Sequence, residues 1–209
     1  MTVRLAHRGP DADGHWVPAD TPVALGHRRL SILDLSATGA QPMWSANGRY
    51  LISFNGEIYN FRELRARLHA GGAVFRGTSD TEVLLAGFEA WGVGDTLREA
   101  TGMFALAVWD LRDQELLLAR DRVGEKPLYY GTCENSVVFA SELKAIRQHP
   151  HFAAEVDPGA VALLMRYGYV PAPYSIYRDI GKVAPGTLLR FRPRDGLAPS
   201  VTTYWSAVD

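Results

Sequence analysis

The chain has 209 residues, 47% of them hydrophobic and 22% charged, enough for one large or two small domains of an ordinary globular protein. Twenty-two Lys and Arg against 23 Asp and Glu give a formal net charge of −1, and no basic tract suggests nucleic acid or an anionic membrane surface as a partner. No stretch approaches a bilayer-spanning apolar length, the N-terminus lacks a secretory signal pattern, and the single cysteine, Cys133, cannot form an internal disulfide, so a cytoplasmic location is expected.

Apolar groups at Met1 and Leu5 have helical spacing and read as the tail of a helix. His7 to Gly14 is broken by Gly9 and Pro10 and reads as a polar loop. A strand is expected to start at Val23 and run to Leu33, with Arg29, Ser31 and Leu33 on one face; Ala37 to Gly48 is turn-rich. The run Tyr50 to Phe54 reads as a buried strand that ends in the polar cluster Asn55-Gly56-Glu57-Ile58-Tyr59-Asn60. On those six residues alone, a strand-to-helix turn outweighs a ligand site, although an amide beside a glycine N–H is a workable pair of oxyanion donors.

Two helices follow with their ends written in the sequence. Asn60 with Glu63 opens the first and Gly71-Gly72 closes it; Ser79 with Glu82 opens the second and Gly92 closes it, which places Asp80 in a first turn. Met103 to Trp109 and Glu115 to Arg120 read as a hairpin, and Pro127 to Gly131 and Ser136 to Ala140 as two further strands before a short helix capped by Ser141. Asp157-Pro158 opens another helix that Gly168 ends, and Thr187 to Phe191 is a last strand in a proline-rich tail. Helices in pairs among antiparallel hairpins predict one α+β domain.

No metal is expected: His149 and His151 have no cysteine or carboxylate at ligand spacing, and His7 and His27 neighbour arginines. No phosphate-binding glycine motif stands between a strand and a helix. What remains is a polar set at strand ends and helix starts, Arg29, Asn55, Gly56, Glu57 and Asp80. A guanidinium suits a carboxylate and a carboxylate pair suits an ammonium, so together they could read an α-amino acid; separate surface ion pairs explain them equally well.

The blocks HRGPD (7–11), HRRLSILD (27–34), AQPM (40–43), NGEIYN (55–60), SDTEVLL (79–85), GMFALAVWD (102–110), ARDRVGEKPLYY (119–130), FASELKA (139–145) and PAPYSIYRDIGKVAPG (171–186) run in order along the chain. In that order they resemble the N-terminal glutaminase domain of asparagine synthetases, a class II glutamine amidotransferase. The resemblance implies an N-terminal-nucleophile hydrolase fold, an αββα sandwich of two antiparallel sheets. It implies hydrolysis of glutamine to glutamate and ammonia. Arg29, with Leu30, Ser31, Ile32 and Leu33, and Asp80 would hold the amino-acid end of glutamine; Asn55 and Gly56 would form the oxyanion hole, and Glu57 would complete the pocket. It also implies no cofactor in this domain, with ATP and Mg serving a C-terminal synthetase domain that uses the ammonia to amidate aspartate, and it allows a homodimer.

Two departures qualify the resemblance. The family's nucleophile is an N-terminal cysteine whose own α-amine acts as base, and no such cysteine is present. Cys133 falls in a late turn, and Thr2, the other candidate, sits on a helix remnant. The nucleophilic strand and most of the first helix are therefore expected upstream of Met1. The chain also stops after Tyr204-Trp205, before any ATP-pyrophosphatase loop, so residues 1–192 are expected to be the glutaminase domain and 193–209 a linker toward the synthetase domain. A non-catalytic glutaminase-like domain, as in β-lactam synthetases, is the alternative reading.

Overall fold

The computed structural model describes residues 1–208. A 3₁₀ helix over Thr2–Arg8 leads into a hairpin of β1 (Ala12–Trp16) and β2 (Leu25–Arg29). β3 (Met43–Trp44) and β4 (Tyr50–Ile58) come next, then α1 (Phe61–Ala70), α2 (Asp80–Trp91) and α3 (Val93–Glu99). β5 (Gly102–Asp110), β6 (Glu115–Arg120), β7 (Tyr129–Cys133), β8 (Ser136–Ala140) and the short α4 (Leu143–Ile146) continue the chain. α5 (Pro158–Tyr167), β9 (Ile180–Lys182), β10 (Thr187–Phe191) and β11 (Ser200–Thr203) complete it.

Period-two alternation along the long strands decides how these elements stack. An antiparallel six-stranded sheet runs β11-β10-β6-β5-β4-β3. From it Ile52, Phe54, Phe104, Leu106, Val108, Leu117 and Ala119 point to one side and form a core with Val83, Leu84, Phe88 and Leu97 of the α1–α3 layer. The intervening Leu51, Ala105, Ala107, Trp109, Leu116 and Leu118 point to the other side. There they meet Leu25 of the β1-β2 hairpin and Phe139 and Tyr130 of the three-stranded β8-β7-β9 sheet. The far face of that smaller sheet packs Val138, Ala140 and Cys133 against Ala145 and Ile146 of α4 and against Leu5. The result is the expected αββα order of layers. β5 is buried on both faces because it lies at the middle of the stack, which explains its nearly unbroken apolar sequence. Among the described residues no helix is long and apolar enough to cross a membrane.

Several local expectations change. The strand at Tyr50 continues through Asn55-Gly56-Glu57 to Ile58, because β5 pairs with it along its whole length; only Tyr59 and Asn60 make the turn into α1. β2 ends at Arg29, so Ser31 and Leu33 share no strand face with it; Leu30, Ile32, Leu33 and Leu35 are exposed in a loop that the Ser31 N–H anchors to Asp11 Oδ2 at 2.8 Å. Asn60 caps no helix with its side chain; its amide joins Glu99 O and Thr101 N–H at 3.0 and 2.9 Å. Ser79 does cap α2, its Oγ accepting the Glu82 N–H at 3.2 Å. Glu142, not Ser141, occupies the cap position of α4. Cys133 is the buried last residue of β7. Residues 200–203 pair with β10, and the buried Tyr204 hydroxyl donates to Arg120 O at 2.6 Å, so this stretch extends the large sheet.

Candidate active site

β3 covers only Leu51 and Ile52, so beyond them the side of β4 away from β5 carries no neighbouring strand. Backbone N–H groups on that side belong to alternate residues, Phe54, Gly56 and Ile58. The outer two are taken by side chains: Phe54 donates to Gln41 Oε1 at 2.6 Å and Ile58 to Asp80 Oδ2 at 2.9 Å. Opposite Gly56, Phe104 turns its own N–H and C=O the other way, to Asp121, which confirms the alternation. The Gly56 N–H between them has no partner among the described residues. A Cβ here would collide with the Met103 carbonyl and Phe104, so only glycine fits this close approach.

Side chains of Ser53, Asn55 and Glu57 share the inner face of β4 with Leu51. Asn55 Nδ2 is buried without a hydrogen-bond partner, a costly state that a ligand oxygen would relieve. Beside it a second donor, the Gly56 N–H, is open. Two adjacent unpaired donors at the wall of a cavity can hold an oxygen that gains negative charge.

The cation side is built from β2 and the loop after it. The Arg29 guanidinium donates to Ser36 O at 3.0 Å and to Asp34 O, lying against Gly39, where a Cβ would strike it. Asp34 ties this loop down: it accepts from the Ser36 N–H and hydroxyl, the Thr38 hydroxyl and the Thr78 N–H. The Ser36 hydroxyl first, then the Thr78 amide, hold its carboxyl well below the usual range despite burial. His27 hydrogen-bonds Ser53 Oγ at 3.3 Å, and burial, then the charge of Arg29, lower its pKa to about 4, so it is neutral above that pH. Asp80 is buried in the first turn of α2. Burial pushes its carboxyl above the ordinary range, the Ile58 N–H opposes that, and the charge of Glu57 adds to it.

Arg29, Leu30, Ser31, Ile32, Leu33, Asn55, Gly56, Glu57 and Asp80 all line one cavity of about 360 Å³. Sequence reasoning missed His27, Gln41, Met103 and Lys126, which line it too. A second cavity, about 350 Å³, adjoins the first through His27, Arg28, Arg8 and Asn55. It lies between β2 and β8, each of which has one strand neighbour among the described residues, and Ala105 and Ala107 of β5 line it too. Cys133 lines neither cavity; it is buried in the outer core, and burial raises its thiol pKa. The Thr2 hydroxyl is 2.7 Å from His15 Nε2 on the exposed side of the β1-β2 hairpin. The tightest carboxylate group among the described residues, Asp110, Asp113 and Glu115, is occupied by Arg49, Arg190 and Arg192.

Layers, strand directions and open donors together define the N-terminal-nucleophile hydrolase type of fold. A solved structure of glutamine phosphoribosylpyrophosphate amidotransferase from B. subtilis superposes with a TM-score of 0.61 over 87% of this chain and 35% of that one; at 22% identity the likeness is of fold alone. The sequence narrows the class: the glutamine amidotransferase domain family matches residues 1–205, and the chain belongs to it. It is 40% identical over 207 residues to asparagine synthetase [glutamine-hydrolyzing] 1 of Bacillus subtilis, 99% of this chain and 32% of that protein. It is 38% identical over 211 residues to a putative asparagine synthetase of Mycobacterium tuberculosis, 96% of this chain and 32% of that one. The chain thus spans about a third of the length of these relatives.

Proposed function

We propose that the chain is the glutaminase unit of a glutamine-hydrolysing asparagine synthetase. The observation that carries this reading is the open donor pair, Asn55 Nδ2 and Gly56 N–H, in a cavity that Arg29, Glu57 and Asp80 also line. Arg29 faces the α-carboxylate of glutamine, Asp80 and Glu57 its ammonium, and the donor pair its side-chain carbonyl. The nucleophile would arrive on an extended segment laid between the open edges of β2 and β8, which would join the hairpin and the three-stranded sheet into one and bring its end beside Asn55. A thiol so placed attacks the amide carbon, the oxyanion rests on the donor pair, ammonia leaves, and water hydrolyses the thioester to glutamate. Ammonia is then the product handed to a synthetase domain, where ATP and Mg would serve aspartate amidation. Residues 193–209 would be the linker toward that domain, of which Ser200–Thr203 run along the large sheet as β11. Glutamine and the synthetase domain are the proposed partners, the cytoplasm the proposed location, and a homodimer stays compatible with the open strand edges.

Titration of L-glutamine into this chain and into Arg29→Ala tests the binding half. Because a charge-assisted bond is lost, affinity should fall by about ten-fold or more; equal affinities would remove Arg29 from the carboxylate role. The same titration across pH reads Asp80. Its carboxylate must be ionised to face an ammonium, and its pKa is raised, so glutamine affinity should decline on acidification before the pH of about 3.9 that marks an ordinary aspartate. Asp80→Asn should flatten that profile, and an unchanged profile in this variant would refute the assignment. For the unliganded fold the sign is opposite. The folded state holds the Asp80 proton more tightly, so this contribution to stability is present at acid pH and lost as pH rises through the folded pKa.

A further inference from the structure

Among the cations of the cavity, three are committed. Arg8 is 3.1 Å from Glu142 Oε1, Arg28 donates to Gly9 O at 3.0 Å and faces Asp13, and Arg29 holds the carbonyls of Asp34 and Ser36. Lys126 lines the same cavity, yet its ammonium makes no ion pair or hydrogen bond among the described residues. Its backbone, by contrast, is fixed at both polar atoms: the N–H donates to Asp121 Oδ2 at 2.9 Å and the C=O accepts from Arg120 Nε at 2.7 Å. The same Asp121 oxygen takes the Phe104 N–H, and Phe104 is the register partner of Gly56. The lysine is therefore rooted one carboxylate away from Phe104, whose register partner Gly56 carries one of the open donors, and it lines the same cavity as that donor pair.

We propose that Lys126 recognises the anionic side-chain end of the product. This rests on the reading of the cavity as a glutaminase site. Hydrolysis turns a neutral amide into a carboxylate, so the reacting end gains a full negative charge while the amino-acid end is unchanged. An unpaired, half-buried ammonium reaching toward that end would add little to the binding of the amide and a charge-assisted contact to that of the acid. Lys126 thereby sets how firmly glutamate is kept after the thioester is hydrolysed, and hence how strongly the product competes with fresh glutamine.

Calorimetric titration of L-glutamate and L-glutamine into the chain and into Lys126→Met separates this from a structural role. Glutamate affinity should fall about ten-fold in the variant and glutamine affinity by less than about three-fold, and Lys126→Arg should restore the glutamate preference. A purely structural lysine would weaken both ligands alike. Equal losses, or no loss, overturn the proposal while leaving the glutaminase reading intact; failure of the unaltered chain to bind either ligand overturns both.

Discussion

Replacing Asp121 with alanine should cost the fold about 3 kcal/mol, the size of losing strong hydrogen bonds to a buried charge and stranding a buried N–H. Asp121 follows β6 and is fully buried. Its Oδ1 accepts the N–H groups of Val123, Gly124 and Glu125 at 3.2, 2.6 and 2.9 Å; its Oδ2 accepts those of Phe104 and Lys126 at 3.2 and 2.9 Å. No cation pairs with it among the described residues, so the backbone amides are what offset the desolvation of the charge. Alanine leaves the Phe104 N–H unpaired inside the sheet and frees a loop that Gly124, at a φ of +75°, turns tightly. Val123 and Glu125 are exposed, and their amides can turn to water, which holds the loss below the sum of the separate bonds. Asparagine should not rescue, since its NH₂ would point at donors. Chemical denaturation of the variant decides the matter: a loss under about 1 kcal/mol, the cost of an ordinary exposed hydrogen bond, would mean the amides find other partners. Since the same carboxylate roots Lys126, the variant should also lose the glutamate preference.

What could be read in advance was local. Asp157 before Pro158 predicts its own helix because the cap needs only the next residues, and Asp157 Oδ1 does accept from Gly159 at 2.7 Å. The hairpin of β5 and β6 was equally plain, since alternation and a short polar turn are contiguous. Asn55-Gly56 failed as a turn because its conformation is set by β5, whose pairing residues come almost fifty positions later; a ladder partner overrides a dipeptide preference. The expected run from Arg29 to Leu33 failed for the converse reason: β2 pairs with β1 only as far as Arg29, and past it Asp11 and Asp34 bend the chain. The candidate residues converge on one cavity, yet Gln41 and Lys126, although inside the recognisable blocks, receive no role there from sequence reasoning, one lying in a turn-rich stretch and the other beside a lone loop glycine. Gln41 is held there by the Phe54 N–H of β4, and Lys126 by the loop that Asp121 gathers after β6, placements that periodicity cannot show.

Extending the chain at its N-terminus with a Met-Cys-Gly segment long enough to lie between β2 and β8 should produce glutamine hydrolysis, and Asn55→Ala in that form should reduce kcat by about 100- to 1,000-fold. The size follows from where the charge appears. In bound glutamine the carbonyl is neutral and a missing donor costs little, so KM should change by only a few-fold. Once the thiol has attacked, the oxygen carries a full charge, and a mobile water replaces poorly a donor that the strand holds in place. Gly56 offers the second donor through its backbone and cannot be deleted by a side-chain change, so the variant should keep residual turnover. A loss confined to KM, or a kcat within about five-fold of the parent, would place the oxyanion elsewhere. Absence of any turnover in the extended parent, with glutamine binding intact, would instead show that the gap between β2 and β8 does not deliver a nucleophile to Asn55. The non-catalytic reading of the domain would then gain ground.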